Sequence, residues 1–226
     1  RRGGGRARGR GGGRPPPPTT RQPAHGPARL ATWAFLGETS HGTATTARYR
    51  LTSDEVADPQ GTWEAVYEVR VGAELELALT VSATGSELFS YEEALHTYLA
   101  VGDVRQVEVL GLDGASYLDK ARGGADAVQS GVLRITAETD RVYRSTAEVE
   151  VVDPVLGRRV RLSKEGSAQT VVWNPWVDKA RAMPDFGDDE WPQMLCVEAV
   201  NALDQAVELA PGQSHTVRQR IRVETL

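Results

Sequence analysis

Ala147-Glu148-Val149-Glu150-Val151-Val152-Asp153-Pro154-Val155-Leu156-Gly157-Arg158-Arg159-Val160-Arg161-Leu162 reads as two extended segments around a turn. On both sides apolar and charged residues alternate with period two, the spacing of a strand that buries one face. Asp153-Pro154 and Gly157 supply the turn chemistry between them. The stretch predicts an antiparallel hairpin over 147–162.

Similar runs recur on both sides of this hairpin: Ala44–Thr52, Ala65–Val71, Leu75–Ser82, Gln106–Leu110, Val132–Ala137, Gln169–Trp173 and Thr216–Val223. Glu208-Leu209-Ala210-Pro211-Gly212 reads as a turn into the last of them. Many short strands with turn signals, and no regular strand–helix alternation, predict an all-β sandwich or barrel rather than a dinucleotide-binding sheet. Glu92–Ala100 is ambiguous. Glu-Glu-Ala-Leu favours a helix, whereas Phe89, Tyr91, Thr97 and Tyr98 favour a strand. As a strand it would place Ala94, His96 and Tyr98 on one face and Leu95, Thr97 and Leu99 on the other.

The chain has 226 residues and a formal net charge of −5, enough for one domain with a tail. Residues 1–22 are Arg/Gly repeats followed by Pro15–Pro18, without apolar periodicity. They are expected to be disordered, leaving residues 23–226 as one folded domain. Residues 1–30 hold eight arginines and no acid, so the remainder carries 31 acidic against 18 basic side chains. An acidic body argues against nucleic-acid binding by the folded domain, and the Arg/Gly tract has no aromatic residue to stack on a base. It leaves room for a small phosphorylated ligand, which needs only a few local cations. The single cysteine, Cys196, excludes an internal disulfide and suits a reducing compartment. No apolar run reaches the ~20 residues of a membrane span. The chain does not begin with Met and shows no signal-peptide pattern. We read it as a fragment, a processed chain or an incompletely defined gene product.

Candidate chemistry lies in three strings: Glu92-Glu93-Ala94-Leu95-His96-Thr97-Tyr98, Val172-Trp173-Asn174-Pro175-Trp176, and Leu195-Cys196-Val197-Glu198. An imidazole and a carboxylate converging on one pocket make an acid and a base that work near neutral pH. Taken alone, a histidine in a strand is more often a satisfied polar residue, and Glu198 could simply mark a strand end. Trp173 could face a sugar ring or fill the core. Lys179 and Arg181 could meet phosphate or only solvent. Asp185, Asp188, Asp189 and Glu190 lack the alternating spacing of a calcium loop. Asp185-Phe186-Gly187 has no kinase catalytic loop beside it. No Walker A sequence, nucleophile elbow or Cys/His zinc spacing is present.

In this order, and with Met183 through Trp191 between them, these strings resemble the hexose-6-phosphate mutarotases (glucose-6-phosphate 1-epimerases), a branch of the aldose 1-epimerase superfamily. The resemblance runs from about Pro23 to the C-terminus. It implies a galactose-mutarotase-like β-supersandwich, and hence a strand at Glu92–Ala100. The family's strands before its His-Gly element, and an upstream Arg-Gly-Gly-Ile-Pro string, are replaced here by Arg/Gly/Pro sequence. The fold is therefore expected without its N-terminal strands. The resemblance implies Glu198 as base and His96 as acid in sugar ring opening and closure, with no cofactor or metal. His25 and Arg29 in His25-Gly26-Pro27-Ala28-Arg29 match a sugar- and phosphate-contacting element, with Pro27 in place of Phe. Asp140 in Glu138-Thr139-Asp140-Arg141 matches a residue that holds sugar hydroxyls, and Gln129 and Trp173 are expected to line the pocket. The ligand would be a small phosphosugar. The protein would be a monomer in the cytoplasm or a plastid, without membrane partners. A sugar-binding relative with little turnover, its front incomplete, is the competing expectation.

Overall fold

The computed structural model describes residues 25–58 and 60–226. The segment expected to be disordered, residues 1–22, lies outside the described residues. The 147–162 hairpin forms as Val149–Asp153 against Arg158–Glu165, with Val151 opposite Val160. Its period-two pattern divides as the side chains require. Val149, Val151, Val160 and Leu162 are buried in the main core. On the other face Glu150 meets Arg159 at 3.2 Å and Arg161 at 2.7 Å. Asp153 is a turn residue for a specific reason: its buried carboxylate accepts from the amides of Val155, Leu156 and Gly102.

Among the described residues nine strands make the larger sheet. In spatial order they are Ala34–His41, Ala44–Thr52, Trp63–Val71, Leu75–Ala83, Ser214–Thr225, Arg158–Glu165, Val149–Asp153, Glu108–Leu110 and Leu133–Arg134. A second sheet runs Ala125–Val128, Ser116–Asp119, Thr139–Tyr143, Gln169–Asn174, Met194–Asn201 and Glu93–Leu95, with Tyr98–Ala100 also paired to Met194–Asn201. Every pairing among the described residues is antiparallel. The sheets pack face to face. Val109, Val151, Val160, Leu162 and Ile221 of the first meet Tyr117, Tyr143, Val172, Leu195 and Val197 of the second. The architecture is the expected all-β sandwich. Of the expected strand Val132–Ala137, only Leu133–Arg134 pairs. No helix among the described residues is long and apolar enough to cross a membrane.

Glu92–Ala100 is extended, not helical. It forms two short strands, Glu93–Leu95 and Tyr98–Ala100. Leu95 and Leu99 are buried while Ala94, His96 and Tyr98 are exposed, so pairing and burial override the local helix propensity of Glu-Glu-Ala-Leu.

Asn174 ends the Gln169–Asn174 strand and fastens the segment that follows. Its buried amide donates to the carbonyls of Trp191 (2.8 Å) and Met194 (2.9 Å), and its oxygen accepts from the Trp176 amide (2.9 Å). These bonds hold the helix Trp176–Ala182 and the turn at Trp191–Gln193. Asn174→Ala strands three buried backbone groups and is expected to cost about 3 kcal/mol of unfolding free energy. Urea denaturation checks this; a loss below ~1 kcal/mol would mean that the segment is held by its apolar contacts instead.

Candidate active site

The site is built on the outward face of the second sheet, and strand register places its side chains. Leu95 pairs with Ala199 and Tyr98 with Cys196. The register is therefore continuous across the break at His96-Thr97, and His96 stands directly opposite Glu198. On the other side of the Met194–Asn201 strand Glu198 pairs with Val171 and Cys196 with Trp173, and Trp173 in turn pairs with Asp140. Opposed residues in a sheet share a face. Two adjacent rungs result, His96–Glu198–Val171 and Tyr98–Cys196–Trp173–Asp140.

His96 Nε2 lies 3.4 Å from Glu198 Oε1. The imidazole is wedged between rings: Tyr98 stacks on it at 4.9 Å, while Trp173 (6.1 Å) and His25 (5.6 Å) present their edges. Phe186 closes on the far side of Trp173 at 6.3 Å. Trp173 is 9% exposed, so it walls the site while belonging to a small core with Met194 and Cys196.

Burial sets the protonation of the pair. It pushes the Glu198 carboxyl up to about 8, helped by the negative charge of Asp140 and opposed by Lys120. A carboxylate taken from water resists ionisation. His96 is held below its ordinary value, first by burial and then by the positive charges of His25 and Arg29. At neutral pH the two residues therefore share one proton, held mainly on Glu198. A pair in this state can accept a proton at one atom and deliver one at the other.

The expected residues fall into two groups. His96, Glu198, His25, Trp173 and Asp140 come together, and Arg29 joins them through its charge on His96 and a 3.2 Å ion pair with Asp185. Gln129 does not join them. Its side-chain oxygen accepts from Tyr143 Oη (2.9 Å) and Arg141 Nη1 (3.2 Å), residues that alternate with Asp140 and so face the space between the sheets. Lys179 reaches Glu138 at 2.9 Å and Asp140 at 3.9 Å, while Arg181 is exposed.

Lys120 was not among the expected residues. It follows the Ser116–Asp119 strand, and its ammonium stands 3.9 Å from Asp140. Only the pairing of that strand with Thr139–Tyr143 brings it there. Cys196 was noted in sequence only for excluding a disulfide. Its thiol, the His96 ring nitrogen and the Glu198 carboxylate have ligand atoms within 4.8 Å of one another.

Residues 8–222 match the family model of aldose 1-epimerase. The chain is 35% identical over 161 residues to a protein of Cenchrus ciliaris provisionally named glucose-6-phosphate 1-epimerase; the match covers 67% of this chain and 49% of that protein. The chain thus spans about half the length of that relative. A protein of Escherichia coli (strain K12) with the same provisional name is 29% identical over 207 residues, covering 89% of this chain and 68% of that one. Among solved structures, a provisionally named mutarotase from Salmonella typhimurium superposes with a TM-score of 0.83 at 25% identity, over 92% of this chain and 70% of that one. A galactose mutarotase-like protein from Clostridium acetobutylicum shares the fold, with a TM-score of 0.61 at 12% identity over 86% of this chain and 67% of that one.

Proposed function

We propose that this chain, which belongs to the aldose 1-epimerase family, interconverts the α and β anomers of a hexose 6-phosphate, glucose 6-phosphate being the first candidate. The observation that carries the reading is the 3.4 Å approach of His96 Nε2 to Glu198 Oε1. Anomers interchange by opening of the ring, rotation about C1–C2 and reclosure. Opening needs one group to take the C1 hydroxyl proton and another to protonate the ring oxygen. Closure returns both protons.

In this reading Glu198 takes the hydroxyl proton and His96 serves the ring oxygen. The proton that rests on Glu198 in the free protein moves to His96 to reach that state. A sugar hydroxyl donated to Glu198 favours its ionised form, the direction in which Lys120 also acts. Asp140 accepts from sugar hydroxyls, and Trp173 and Tyr98 border the ring. Arg29 and His25 meet the phosphate end, where a guanidinium fork suits phosphate oxygens.

The working form carries one proton on the pair, which fixes the sign of the pH dependence. Below the lowered His96 value both groups are protonated and no base remains. Above about 8 both are deprotonated and no acid remains. The kcat/KM for anomer exchange is therefore expected to be bell-shaped, with its alkaline limb near pH 8 and its acid limb below the ordinary histidine value of about 6.5. The limbs belong to the pair rather than to either residue. Polarimetric rates between pH 5 and 9 test this, and a profile without an alkaline limb would remove the shared-proton pair from the mechanism.

A further inference from the structure

We infer that His96, Cys196 and Glu198 form a binding site for a soft divalent transition-metal ion, zinc above all, which blocks the sugar pocket when occupied. Cys196 and Glu198 lie on one strand, and His96 lies in the break between the two short strands paired to it. Their candidate ligand atoms, an imidazole nitrogen, a thiol sulfur and a carboxylate oxygen, all lie within 4.8 Å of one another. Zinc binds such atoms at about 2.0–2.3 Å, so tetrahedral ligands around it stand about 3.3–3.5 Å apart. The His96–Glu198 separation of 3.4 Å already meets this, and side-chain rotation has only to draw the sulfur inward. Three protein ligands leave a fourth, open position for water, on the side where His96 meets solvent.

The donor set also selects the ion. Sulfur and imidazole favour zinc or cobalt, whereas magnesium and calcium require oxygen ligands. Cys196 is fully buried between Tyr98 and Trp173 on its rung. It has no part in the proposed proton transfers, so it separates the ion site from the reaction. Binding balances as follows. The thiol releases its proton to solvent and becomes the thiolate ligand, Glu198 binds as the carboxylate, and His96 binds as the neutral ring. The blocking effect rests on the proposed reaction, because the ion occupies the two groups the sugar needs; the site itself rests on geometry alone.

Cobalt(II) reports a thiolate ligand by a charge-transfer band in the near ultraviolet and needs no turnover. The full chain titrated with cobalt is expected to show that band, and zinc, but not magnesium, is expected to displace it. Cys196→Ser and Cys196→Ala, checked for folding by circular dichroism, should lose the band and bind zinc about a hundredfold or more weakly, since loss of outer-shell partners alone costs 10–100-fold. Calorimetry in buffers of different ionisation enthalpy should show proton release on zinc binding, reduced in Cys196→Ala. Equal zinc affinity in the wild type and both folded variants, or a cobalt spectrum without the thiolate band, would overturn the site. A protein that binds zinc through Cys196 yet exchanges no anomers would keep the site and lose the proposed reaction.

Discussion

Glu198→Gln is expected to lower the catalysed anomer exchange by about 10²–10⁴-fold, the usual contribution of a positioned proton-transfer group, and at the same time to stabilise the fold above about pH 5. The two effects share one cause. Glu198 is 5% exposed and sits in an interior strand of the second sheet, paired on both sides, so its ionisation is opposed by burial. Its folded value of about 8 lies well above the ordinary 4.5. Between those values the folded chain holds a proton that the unfolded chain has released, so stability falls as pH rises through that window. The stabilisation is fully present below about 4.5 and lost by about 8. At 1.36 kcal/mol per unit, the full loss is on the order of 3–5 kcal/mol. Glutamine keeps the shape and never ionises. The difference in unfolding free energy between variant and wild type should therefore widen from pH 5 to pH 8, as read from denaturation at both values. A difference that stays constant would contradict the raised carboxyl.

His96→Asn is expected to cost a similar 10²–10⁴-fold and also to change the shape of the pH profile. The wild-type acid limb arises when His96 takes up a second proton, late because burial, His25 and Arg29 hold its value down. Without the imidazole that limb has no source. Residual turnover should instead rise once with pH as Glu198 ionises, around 8. Because His96 is partly exposed, the variant should unfold within about 1 kcal/mol of the wild type. Rates measured across pH, beside a denaturation curve, separate the roles. An acid limb surviving in the variant would assign it to another group.

Legibility in the sequence followed burial. Strands with one wet face announced themselves: the 147–162 hairpin and the final strand alternate because one side meets water and the other the core. Met194–Asn201, the strand that carries the site, was read only as a possible strand end at Glu198. All eight of its residues are buried, so no period-two contrast marks it. The short strands Ser116–Asp119 and Ala125–Val128 carry too few residues to show a period.

The site divides the same way. His96 and Glu198 could be singled out from their strings, but their meeting depends on the register of 95–98 against 196–199, which no local pattern encodes. Lys120 depended on the pairing of two strands around Asp140. Gln129, expected to line the pocket, bonds Arg141 and Tyr143, which are one residue out of phase with Asp140, and a one-residue step in a strand reverses the face.

Anomer exchange of glucose 6-phosphate at equilibrium, followed by NMR magnetisation transfer on the wild type and on Glu198→Gln at pH 7, tests the central claim most directly. The account predicts exchange well above the spontaneous rate for the wild type and a return toward that rate in a folded Glu198→Gln. Spontaneous exchange alone in the presence of folded wild-type protein, or undiminished acceleration by the variant, would contradict it.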